Sequence, residues 1–172
     1  MTQDLSLFRP SRIWRRMPAE RRLDAAELFW ADDQSTDQQI EAVAAIATHM
    51  KFRTKSVLGL APEKRIKYLA GLPVISDTVA ARALVSYHLE RQRPMMSAFL
   101  DSLGIAHENG LISDETVSKP DAAKLKTAAA ELATKFPADE VSLYLSTLVS
   151  QDPDTWGDLA GLPETTAGAV RF

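Results

Sequence analysis

Side chains able to do chemistry are few in this chain, and they are scattered. There are three histidines, His49, His88 and His107, and no cysteine. His88 has the richest surroundings. It lies in YHLERQRPMMSAFLDSLGI, from Tyr87 to Ile105, close to Glu90, Arg91 and Arg93. A histidine beside a tyrosine, an acid and bases could act as a general base or a ligand. Helical spacing argues for a plainer role. At about 100° per residue, a helix over 77–92 puts Ala81, Leu84, Val85 and His88 on one face, with Arg82, Ser86 and Glu90 opposite. An imidazole on the apolar side needs partners for its ring nitrogens and tends to stay neutral. The expectation is a core histidine bonded to a neighbouring helix. An enzyme with a pocket near His88, Tyr87 and the 106–118 loop is kept as an alternative.

Other chemistries lack a motif. Neither His-Glu-x-x-His nor Glu-x-x-His occurs, so no zinc or di-iron pattern is present and no metal is expected. Without cysteine there is no thiolate site, disulfide or cysteine nucleophile. A Gly-x-Ser-x-Gly elbow, a Ser-x-x-Lys pair and a dinucleotide fingerprint are missing. Thr54-Lys55-Ser56 lacks the glycines of a phosphate loop. No cofactor is expected. The carboxylate pairs Asp32-Asp33 and Asp139-Glu140 fall at helix ends, where an acidic first turn or a solvated loop accounts for them.

Charge is the stronger signal. The chain of 172 residues has a net charge of -3, unevenly spread. Residues 9–22 and 51–93 are basic, and 23–50 and 94–172 are acidic. The first basic stretch carries Arg9, Arg12, Arg15, Arg16, Arg21 and Arg22 around Trp14. Arginines with an aromatic can grip phosphate and stack on a base. The second stretch holds Arg53, Lys55, Lys64, Arg65, Arg91 and Arg93, mostly at joints between helices. Against nucleic acid stand the acidic total and the lack of a known binding motif. The plainer reading is charge matching within the molecule, with the acidic 23–50 helix as partner for the N-terminal arginines.

The elements that carry these residues are helices. Leu125, Ala128, Ala129, Leu132 and Phe136 recur at steps of three and four, as do Val141, Tyr144, Leu145, Leu148 and Val149. Ile40, Val43, Ala44, Ala47 and Met50 form a third such stripe, and Met95, Met96, Phe99, Leu100 and Leu103 read as core. Prolines at 18, 62, 94, 120, 137 and 153 sit where helices begin. Ser35 with Gln38 spells a capping box, and Ser118 and Asp152 read as further caps. Gly59, Gly71, Gly104 and Gly161 each precede an apolar residue, the sequence form of a Schellman end.

The expected fold is therefore all-α, with about eight helices. Proline-to-glycine spacing suggests three units of about 44 residues, at 18–60, 62–105 and 120–162. They would form a short α-solenoid or an irregular bundle, with an insertion at 106–119. Residues 1–16 look like a mobile basic arm and 163–172 like a tail. The leading functional expectation is a non-enzymatic interaction module that binds a protein or self-associates. Nucleic-acid binding through the arginine arm and the 51–93 block is the alternative. The candidate binding residues are Arg12, Arg15, Arg16, Arg53, Lys55, Lys64, Arg65, Arg91 and Arg93. No membrane span is expected, and the start lacks signal-peptide order, so a cytoplasmic protein is expected.

Overall fold

The computed structural model describes residues 4–113 and 117–167. Among them lie eleven α-helical segments and one two-stranded hairpin, so the chain is all-α. α1 spans Pro10–Arg16, α2 Ala19–Ala31, α3 Thr36–Met50, α4 Thr54–Leu58, α5 Pro62–Ala70 and α6 Asp77–Arg91. α7 spans Arg93–Leu103, α8 Ala122–Lys135, α9 Ala138–Gln151, α10 Pro153–Trp156 and α11 Pro163–Thr166. The count exceeds the expected eight because α1, α4, α10 and α11 have only four to seven residues. Pieces that short show no apolar period. No described helix is long and apolar enough to cross a membrane.

Proline marks many of the starts. It occupies the first turn of α1, α5, α7, α10 and α11, and precedes α2 and α9 by one residue. Its fixed φ suits these positions and its missing N–H costs nothing there. The expected caps fare unevenly. Asp152 accepts from the Thr155 N–H at 3.2 Å. Ser35 makes no capping bond to α3; its Oγ accepts from Arg82 Nε at 3.1 Å instead. Asp121, not Ser118, holds the cap position of α8, without a side-chain bond. Among the expected glycine stops, Gly104 alone is left-handed, with φ 67° and the Ile105 N–H donating to Leu100 O at 3.0 Å. α3 ends the same way on Lys51, φ 57°, with the Phe52 N–H reaching Ala47 O at 2.9 Å.

Two apolar clusters form the interior. The first gathers α1 to α6, centred on Trp14, Phe29, Ile46, Leu69 and Leu84. The second gathers α7 to α10, centred on Met95, Phe99, Leu125, Leu145 and Trp156, and also takes in Phe8. α9 joins them: Glu140 to Val149 are all buried, with Leu143 in the first cluster and Val141, Tyr144 and Leu145 in the second. The α3 stripe differs from expectation. Ile40 is 66% exposed, and Ala42, Val43, Ile46 and Ala47 face the core.

The N-terminal stretch is not a mobile arm from residue 5 onward. Leu5–Phe8 form a 3-10 turn, and α1 buries Ile13 and Trp14 to within 2% of full burial. Such aromatic burial is a large apolar gain. At the other end α11 docks through Thr165, 1% exposed, whose carbonyl accepts from Ser142 Oγ at 2.6 Å. Residues 168–172, the rest of the expected tail, lie outside the described residues, as do residues 1–3. The 106–119 insertion contains the hairpin, β1 His107–Glu108 and β2 Leu111–Ile112, in antiparallel register. Asn109 (φ 50°) and Gly110 (φ 88°) make its turn. Positive φ at both central residues matches the right-handed twist of the strands.

Candidate functional site

His88 projects from α6 into the interior and is 3% exposed. Its Nε2 lies 3.0 Å from Thr147 Oγ1 on α9. That hydroxyl donates its one proton to Leu143 O at 2.8 Å. Thr147 must therefore accept from His88, which fixes the Nε2–H tautomer. The other nitrogen, Nδ1, is buried without a hydrogen-bond partner. Tyr87 and Tyr144 pack edge-on against the ring at 5.5 and 5.6 Å. Burial, reinforced by the Arg21 charge, holds the imidazole pKa down at about 3, so the ring is neutral. His88 lines neither of the described clefts. The core placement expected from its apolar face is seen: the ring is buried and bonded to a neighbouring helix.

The helix face opposite His88 is not solvated as the wheel suggested. Ser86 is 2% exposed and donates to Asp32 Oδ2 at 2.7 Å, which Arg82 also reaches at 2.7 Å. These bonds outweigh desolvation and lower the Asp32 pKa to about 2.

A buried polar hub lies between α2, α6 and α9, and the sequence reading missed it. Glu140 is 8% exposed. Tyr87 Oη donates to it at 2.9 Å, Gln92 Nε2 at 2.8 Å, and Arg21 pairs with it at 2.8 Å. Burial pushes the Glu140 pKa up against the Tyr87 bond and the Arg21 charge, and burial carries Tyr87 to about 12. Burial also disfavours the Arg21 charge, but Glu140, Tyr87 and Asp139 outweigh it and raise its pKa. Asp139 behaves as a rim carboxylate, bonded to Arg21 at 3.0 Å. Both stand in the first turn of α9, as expected, but only Glu140 is buried. Glu140 stands four residues before the buried Tyr144, one helical turn along the same face.

The arginines near the N-terminus are used internally. Arg9 pairs with Asp77 at 2.7 Å; bonds from Ser11, with the Arg9 pair behind them, outweigh desolvation and lower the Asp77 pKa to about 2. Arg12 donates to Ser6 Oγ, Arg15 to Pro73 O, Arg16 to Leu7 O, and Arg22 to Arg15 O and Met17 O. Trp14, at 1% exposed, has no face for a base to stack on. Charge matching is thus present, with different partners from those expected. Asp24 and Asp32 of the acidic stretch pair with Arg91 and Arg82 of α6. Arg93 donates to Leu89 O and to Asn109 O, fastening the hairpin to the α6–α7 joint.

The remaining candidate binding residues gather on α4 and α5, which both pack against α3. Lys51, Arg53, Lys55, Lys64 and Lys67 are exposed and form no ion pair among the described residues. Glu63 is the one carboxylate in residues 51–67. Arg65 lies over Trp30, 5.4 Å from the ring centroid. Among these cations are Leu58, 59% exposed, and Phe52, 39% exposed and edge-on to Tyr68 at 6.0 Å. Lys64 and Tyr68 stand one turn apart on α5, so the Phe52–Tyr68 pair has a cation beside it.

A separate cleft of about 180 Å³ opens between α1, the start of α2, α9 and α11. Ile13, Met17 and Leu143 form its apolar lining; Arg16, Arg21, Asp139 and Ser146 bring polar groups. Among the described residues no three His, Asp or Glu side chains converge as metal ligands. No protein-family model matches the chain, and no curated protein or solved structure is significantly similar to it.

Proposed function

We propose that this chain is a non-enzymatic helical interaction module whose binding surface is the α4–α5 face, and that its partner is a protein presenting an acidic, partly apolar segment. One contrast carries the proposal. The cations of the first basic stretch end on carboxylates, carbonyls or a hydroxyl of the same molecule, whereas Lys51, Arg53, Lys55, Lys64 and Lys67 have no carboxylate partner among the described residues. Unmatched like charges around Leu58 and Phe52 repel one another until an anionic surface covers them. The repeat reading belongs to the same proposal. A proline-started short helix follows a long one at α6–α7 and again at α9–α10, as stacked units would have it. The cytoplasm suits such a module, since the chain has no cysteine to protect.

A photo-crosslinking residue at Leu58 tests the reading. Protein adducts should form in cells and be lost in a Lys55→Glu/Lys64→Glu/Lys67→Glu variant that keeps its far-UV circular dichroism. Equal crosslinking by the two, or none by either, would sink the idea. A second reading, single-stranded nucleic acid, rests on the Phe52–Tyr68 pair set among cations. Its signature would be crosslinks to nucleic acid and affinity that falls steeply as salt rises.

A further inference from the structure

The α1–α9 cleft has features that packing alone leaves unexplained. Ser146 is 5% exposed and lines the cleft, yet its hydroxyl forms no hydrogen bond among the described residues. Neighbouring α9 hydroxyls behave otherwise: Ser142 donates to Thr165 O and Thr147 to Leu143 O. The Ser146 oxygen is therefore free to meet a polar group in the cleft. Arg16, half-buried, also lines the cleft. One of its nitrogens donates to Leu7 O at 2.8 Å, and its guanidinium lies 5.8 Å from the centroid of the Phe8 ring. It has no carboxylate partner among the described residues, and burial and the Arg12 charge both disfavour its proton. Arg21 differs, since Asp139 and Glu140 neutralise it. Asp139 also lines the cleft, but Ser146 is seven residues further along α9, about 10 Å away. An anion bound at Ser146 would stand clear of it.

We propose that this cleft binds a small amphipathic monocarboxylate, with the carboxylate met by Arg16 and Ser146 and a compact apolar body held against Ile13, Met17 and Leu143. Size points to the class. A dry cavity of about 150 Å³ accepts a benzene ring, and this cleft measures about 180 Å³. A ring or short branched chain bearing one carboxylate fits; a long acyl chain does not. The anionic end supplies the acceptor that the guanidinium lacks, in a partly desolvated place where charged hydrogen bonds are strong.

The experiment titrates the folded full chain with benzoate, and in parallel with benzyl alcohol, following backbone amide resonances by NMR. Benzoate should give saturable shifts below about 10 mM, centred on Met17, Leu143 and Ser146, with benzyl alcohol at least about tenfold weaker. Arg16→Gln should remove that preference. Ser146→Ala, which leaves the volume intact, should weaken benzoate several-fold. Three results would each overturn the site: no saturable shift in the folded wild type, equal binding of the alcohol and the acid, or shifts centred on Arg53 and Lys64.

Discussion

Replacing His88 by glutamine should flatten the pH dependence of stability between pH 7 and 5. The buried ring stays neutral down to a pKa of about 3, while the unfolded chain takes up the proton near 6.5. Between those values the unfolded state binds more protons, so stability falls as pH falls. With these two values the linkage relation gives a loss of about 2 kcal/mol from pH 7 to pH 5, and about 3 kcal/mol by pH 4. Asp32 and Asp77 have depressed pKa values of about 2, so their contribution is lost only below their unfolded value of 3.8. Glu140 has the opposite sign: its pKa is raised, and its neutral form is favoured as pH falls. These groups are common to both proteins and cancel in the comparison. Glutamine keeps an N–H that can donate to Thr147, as the imidazole does. Urea denaturation at pH 7, 6 and 5 reads the effect, with equal m-values as the check on two-state behaviour. Wild type should lose about 2 kcal/mol more than His88→Gln over this range. A difference below about 0.5 kcal/mol would refute both the buried neutral imidazole and the reasoning built on it.

Arg21→Met should cost about 3 kcal/mol, because it leaves the Glu140 carboxylate buried without its cation. In the Arg21→Met/Glu140→Gln double variant much of that loss should return, and strict additivity in urea melts would contradict the pairing. Gly110→Ala should destabilise by about 1–3 kcal/mol, since φ is 88° and a Cβ there would meet Met96 Cβ at 2.8 Å. Asn109→Gly, which relieves a positive φ of 50°, should be neutral or slightly stabilising, with urea melts reading both variants.

The helical class could be read from the chain, and particular residues show why the rest could not. Leu125, Ala128, Ala129 and Leu132 obey one period because α8 buries a single face. α6 buries Ser86 as well as Leu84 and His88, and a helix covered on several sides loses the polar face a wheel relies on. Gly104 announced its left-handed stop, whereas Lys51 adopts the same conformation with a side chain that gives no hint of it. Among the candidate site residues, intramolecular partners separated the groups where sequence could not. Arg91 and Arg93 look as available as Arg53 and Lys64, yet the Asp24 carboxylate that holds Arg91 lies 67 positions away and the Asn109 carbonyl that takes Arg93 lies 16 away. Glu140 resembled its neighbour Asp139, and only the packing of α2 and α6 on α9 tells the two apart.

The place of α9 in both apolar clusters bears on how the chain is born. A ribosome emits α1 through α8 before the helix that ties them together. Until α9 emerges, Leu84, Phe99 and Leu125 lack part of the cover they have in the finished core. The nascent chain therefore presents apolar surface for most of its synthesis, in the manner of chains that rely on holding factors. Amides of α9 should be among the last to exchange with solvent in the native state, since opening them requires both halves to part.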